Sequence, residues 1–176
     1  MKQRIVLLTL PVCALVFVAF FAVAGRGATA ADDPYAPLRM LDGKWDILPT
    51  ASAKDGMHLE NHCAKTGLFM SCEQVVNGKS AALVVFLPKA KTGNGGEVYW
   101  TQGLLADASP AGEWSKLTIE GDRWVYSWES TDSGKKVFWR NINIFSGTDK
   151  IHFEITRSDD GSTWKMQKSG EEQRAK

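Results

Sequence analysis

After residue 41 the chain shows no helical period. From Lys44 onward, short alternating or wholly apolar runs follow one another, each ended by Gly, Asn, Asp or Pro. That punctuation specifies strands joined by hairpins. The runs cover residues 44–49, 56–64, 68–76, 80–87, 96–104, 113–120, 122–129, 135–145, 150–157 and 162–168. Most links are turn chemistry, such as Asn77-Gly78, Glu120-Gly121-Asp122, Asp132-Ser133-Gly134 and Asp159-Asp160-Gly161. They are too short for parallel crossovers, so neighbours in sequence pair antiparallel. A meander this long with open edges would invite aggregation, and closure into a barrel, or a sandwich, removes them. The expected fold is all-β: a meander closed into a barrel of 8–10 strands. A short helical or 3₁₀ turn carrying Leu38 and Leu41 precedes it, after Asp32-Asp33-Pro34. The looser segments 89–95 and 106–112 are expected to frame one open end.

The first 30 residues read differently. Met1-Lys2-Gln3-Arg4 is basic, residues 5–24 are apolar except for Thr9 and Pro11, and Ala28-Thr29-Ala30 offers a small-residue exit. This is the pattern of a secretory signal peptide. The alternative is an uncleaved anchor, since twenty apolar residues can span a bilayer. The expected organisation is a signal peptide over 1–30 and a single domain over 31–176, exported to the periplasm or beyond, touching a membrane only through its leader. The first 30 residues hold Lys2, Arg4 and Arg26 and no acid, leaving 18 bases against 20 acids. A near-neutral domain of interspersed charges is unsuited to nucleic acid, which is bound by neutralising phosphates.

Removal of the leader also removes Cys13 and leaves Cys63 and Cys72, which in an oxidising compartment read as one disulfide. If Cys63 faces Cys72 across a hairpin, Thr66 faces Phe69 and Gly67-Leu68 forms the turn. Glycine at the first central position suits type II′. The expected Cα separation is about 4.4–6.8 Å.

Leu41-Asp42-Gly43-Lys44-Trp45 opens the first strand just after the short turn, and Ser158-Asp159-Asp160-Gly161-Ser162-Thr163-Trp164 forms a late hairpin. With the exported leader and hairpin-linked strands, this resembles the bacterial DUF1579 group of lipocalin-like (calycin) proteins over nearly all of residues 40–174. The resemblance implies a calycin barrel in which Gly43 and Trp45 mark the start and the Trp plugs one end beneath a late-strand Arg. Arg157 and Arg174 are both candidates. The family's biochemical role is undefined, so the resemblance speaks to fold.

Chemistry is sparse. His58, Glu60 and His62 share one strand face, and His152 with Glu154 repeats the i, i+2 spacing. A metal or haem site is one reading; polar residues on an outer barrel face are the other. His58 and His62 are about 13 Å apart at about 3.3 Å per residue, too far to share an ion. No G-x-S-x-G elbow or phosphate loop occurs. Asp159-Asp160 and Glu171-Glu172 read as solvated charge in a turn and a tail. No catalytic residue, metal or cofactor is assigned, and the chain is expected not to be an enzyme.

Trp124, Tyr126 and Trp128 alternate on one strand, with Arg123, Ser127 and Glu129 opposite, and Trp139 follows on the next. The aromatic row is expected to face inward, because the other face would bury charge. It either fills a solid core or lines a pocket, so Trp124, Tyr126, Trp128 and Trp139 are the candidate ligand-binding residues. The leading expectation is a non-enzymatic binding module holding a small, mostly apolar ligand. The alternative is an envelope protein-interaction module with a solid core; a His/Glu metal- or haem-dependent enzyme ranks below both. No oligomeric state is assigned.

Overall fold

A computed structural model describes residues 33–50, 54–91, 96–107 and 113–176. Residues 1–30, read from the sequence as a signal peptide, lie outside them. A 3₁₀ turn, Pro37–Leu41, leads into ten strands. They are β1 (Gly43–Ile47), β2 (Met57–Thr66), β3 (Phe69–Val76), β4 (Lys79–Lys91) and β5 (Glu97–Leu105), then β6 (Ser115–Glu120), β7 (Arg123–Asp132), β8 (Lys135–Ser146), β9 (Lys150–Ser158) and β10 (Lys165–Arg174). Each strand pairs with its neighbour in sequence, and β1 pairs with β10, so the meander closes into a barrel. Trp45 sits opposite Arg174 and Ile47 opposite Glu172 at the closure.

The hairpins form where turn chemistry demands. Asn77 and Gly78 both adopt positive φ, 49° and 78°, as a type I′ turn requires. Gly67 has φ 60° while Leu68 does not, as type II′ requires. Thr66 therefore faces Phe69 and Cys63 faces Cys72. The disulfide joins this pair with Cα atoms 4.0 Å apart, slightly shorter than the expected window.

Two strands outrun their sequence signatures. β4 continues past Pro88 to Lys91, and the ladder slips between Pro88 and Ala90, a bulge at which proline's missing donor is tolerated. β10 begins at Lys165 and runs through Glu171-Glu172 to Arg174, so the two glutamates are in a strand and not in a tail. Its late start has a local cause. Asp160 Oδ1 accepts from the amides of Ser162 at 2.8 Å and Thr163 at 2.7 Å, and Ser158 Oγ accepts from Gly161 N at 2.8 Å. These bonds hold the segment in a turn, and they hold the Asp160 carboxyl below the usual carboxylate range.

One end of the barrel is plugged. Tyr35, Leu38 and Trp45 are buried there with Tyr99, Leu117, Trp124 and Phe145. The Tyr35 hydroxyl donates to Leu68 O, and the Tyr99 hydroxyl donates to Pro34 O at 2.6 Å. Trp45 Nε1 donates to Leu41 O at 3.1 Å. Arg174 seals the plug: its guanidinium lies 4.3 Å from the Trp45 ring centre. It also donates to Met40 O at 2.9 Å, Asp42 O at 2.8 Å and Thr148 O at 3.1 Å. Of the two candidate arginines, Arg174 is the one on Trp45.

Consecutive links in an antiparallel meander alternate between barrel ends. The strand ends flanking 89–95 belong to the plugged end, beside Tyr99, and those flanking 106–112 to the opposite end. The two segments therefore do not share a mouth, and residues 92–95 and 108–112 themselves lie outside the described residues.

Candidate functional site: the barrel cavity

Above the plug the barrel is hollow. A cavity of about 730 Å³ is lined by Trp45, Cys72 and Phe86 at its floor, with Leu59, Val84, Tyr126 and Ile151 on its walls. Leu105, Glu113, Trp128, Glu129 and Ser130 stand toward the other end. Alternation explains the set: cross-strand partners share a face, and the face shared by Trp45, Leu59, Cys72, Val84 and Tyr126 is the inner one.

The walls are not uniformly apolar. Asn61, Gln74, Thr101, Ser115, Asn141, Asn143 and Glu172 also line the cavity. Asn61 Nδ2 donates to Leu41 O at 3.1 Å, and Asn61 Oδ1 accepts from Gln74 Nε2 at 3.3 Å. Asn141 Oδ1 and Asn143 Oδ1 are buried without a hydrogen-bond partner among the described residues. Glu172, opposite Ile47 and Ile151, has its carboxyl pushed up to about 7 by burial alone. Burial first and the Glu172 charge second push the Tyr126 hydroxyl up, so it stays a neutral phenol.

The aromatic candidates divide. Tyr126 and Trp128 line the cavity. Trp124 is only 2 % exposed and packs on Phe145 with centroids 4.6 Å apart; it belongs to the plug. Trp139 stacks on Trp128 at 6.1 Å with rings 7° from parallel, and its Nε1 donates to Ser130 Oγ at 3.1 Å. It shares Trp128's face and braces the rim, but does not line the cavity. Arg157 lies 5.7 Å from the Trp139 ring centre and pairs with Asp132 at 2.8 Å. The last strand supplies the residue that sequence reasoning missed, Glu172. The available signal was the alternation of Gly170, Glu172 and Arg174 in register with the first strand.

The histidines are placed apart. His58, Glu60 and His62 alternate with the inward-facing Leu59 and Asn61, so they lie on the outer face. His58 Nδ1 pairs with Asp46 at 2.8 Å and His62 Nε2 with Glu60 at 3.5 Å. His152 pairs with Glu171 at 2.6 Å and Glu154 at 3.5 Å, and hydrogen bonding to Glu171 raises it above the ordinary imidazole range. β1 and β10 separate the two clusters. No group of three metal-ligating side chains occurs among the described residues.

A closed ten-stranded antiparallel meander, plugged at one end and hollow above the plug, defines a lipocalin-like barrel. The chain matches no family model, and no curated protein matches it at a significant level.

Proposed function

We propose that this protein is an exported, non-enzymatic binding module that holds a small, mostly apolar ligand inside its barrel. The observation that carries the reading is the cavity of about 730 Å³, where a space-filling core would leave none. Ligand pockets of about 300–1,000 Å³ lined by apolar side chains and a few polar groups are the common design. Export is supported by the Cys63–Cys72 disulfide, a bond that persists in oxidising compartments, and by the leader-like first 30 residues. The resemblance to the DUF1579 group agrees with the barrel and adds no ligand.

The test is titration with a neutral apolar probe, N-phenyl-1-naphthylamine, followed by its fluorescence. Saturable binding at one probe per chain is expected, and Val84→Trp, which fills the cavity, should abolish it. Absence of saturable binding, or binding indifferent to Val84→Trp, refutes the reading. One observation favours the interaction-module alternative in part. Trp100, Trp114, Phe138 and Trp164 line a groove of about 1030 Å³. Trp114, just before β6, is 43 % exposed, and a surface rich in aromatic groups is typical of binding faces. Binding of a partner protein undisturbed by Val84→Trp would support that alternative.

A further inference from the structure

Charge inside the cavity has one sign. Its lining includes no Lys, Arg or His among the described residues, and Glu172 is the carboxylate held inside it; Glu129, on the opposite strand face, pairs with Lys136, and Glu113 is exposed at the rim. The bases on neighbouring strands do not line it, and most are paired elsewhere. Arg174 serves the plug carbonyls and the Trp45 ring. Arg157 serves Asp132 and Asp159, Lys168 is exposed beside the Phe153 ring, and His152 pairs with Glu154 and Glu171. The inward groups facing Glu172 are Ile47 from β1, Ile151 from β9 and the Tyr126 phenol across the barrel.

The unpartnered polar atoms that line the cavity have one character too. Asn141 Oδ1 and Asn143 Oδ1 are buried acceptors with no donor, and an ionised carboxylate can only accept. A buried acceptor left unmet is costly, so an occupant that brings donors gains most. An alkyl carboxylate would bring a second negative charge beside Glu172 and no donor. An alcohol brings one donor and no charge. A primary ammonium brings three donors and the complementary charge, in hydrogen bonds stronger than neutral ones.

Resting on the reading of the cavity as a ligand site, we propose that its ligand is an amine. An apolar body would end in a primary or secondary ammonium that pairs with Glu172 and donates to the open acceptors of Asn141 and Asn143. Binding is then coupled to the proton on Glu172. Because that carboxyl titrates near 7 when the cavity is free, an ammonium must displace the proton in acid. Affinity falls tenfold for each pH unit below this point, or roughly 30-fold between pH 8 and pH 5.5.

The test compares decylamine, decanol and decanoate, titrated into the native protein at pH 5.5 and 8 and followed by tryptophan fluorescence. Decylamine stays cationic across this range, so its profile reports on the protein. Expected is a preference for decylamine over decanol and decanoate at pH 8, a roughly 30-fold loss of decylamine affinity at pH 5.5, and a flat decanol profile. Glu172→Gln should remove the preference and the pH dependence while keeping decanol binding, which also reports that the variant is folded. Decanol binding as tightly as decylamine, decanoate binding best, or a flat decylamine profile overturns the amine proposal and leaves the apolar site standing. Failure of all three compounds to bind overturns the site itself. The native protein's pH profile decides the matter even where the variant fails to fold.

Discussion

Glu172→Gln is expected to stabilise the ligand-free protein above neutral pH and to change little in acid. In the fold, burial pushes this carboxyl up to about 7, against an ordinary value of 4.5 in the unfolded chain. Between those two pH values the folded state keeps a proton that the unfolded state has lost. The group's contribution is therefore fully present below 4.5, shrinks through the window, and is gone once pH rises past 7. A gap of about 2.5 pH units at about 1.36 kcal/mol each corresponds to roughly 3 kcal/mol; solvent entering the cavity brings it toward about 2. Glutamine keeps the shape and removes the titration. The assay is urea unfolding by tryptophan fluorescence at pH 4, 5.5, 7 and 8.5. At pH 4 the two proteins should unfold together. At pH 8.5 the variant's midpoint should lie about 1–2 M higher with an unchanged slope, given slopes of about 1–3 kcal/mol/M. A difference that ignores pH, or a variant less stable at pH 8.5, would refute the claim that Glu172 is desolvated in the barrel.

Arg174→Ala is expected to cost about 2–4 kcal/mol, since three carbonyls lose a charged donor; Arg174→Lys should recover less than half, because a point charge cannot span them. Thermal unfolding measures both. Trp124→Ala should cost about 3–5 kcal/mol, as for other buried aromatic truncations, while Tyr126→Ala, which borders open space, should cost less; urea unfolding at pH 7 separates them. Replacing Cys63 and Cys72 by Ala should remove roughly 2.5–3 kcal/mol through the lost closure of a short loop, read from the denaturation midpoint of the double variant.

Much of the architecture was legible because it is local. Strand and turn alternate within a few residues, so Asn77-Gly78 and Gly67-Leu68 announce their hairpins without reference to the rest of the chain. The hairpin count sets Cys63 opposite Cys72, and simple alternation turns Tyr126 and Trp128 inward. The same local logic erred where a side chain overrode periodicity. Asp160 and Ser158 bind backbone amides through Thr163 and delay β10, which moved Glu171-Glu172 from an imagined tail into a strand. Counting hairpins also shows that 89–95 and 106–112 fall at opposite ends, a consequence of the meander itself.

The sequence by itself determined the strands, their antiparallel order, the disulfide and the tryptophan that starts the barrel, because each depends on contacts between near neighbours. Tertiary structure alone decided the rest. Pairing of β1 with β10 joins residues more than a hundred positions apart, and no short-range pattern encodes that register. It selects Arg174 over Arg157 to lie on Trp45, and by the two-residue repeat it turns Glu172 toward the inside. Whether the inward side chains meet at the axis or leave space depends on the volumes contributed by all ten strands together. That sum left a cavity, and set into it a desolvated carboxylate and amide oxygens that have no donors of their own.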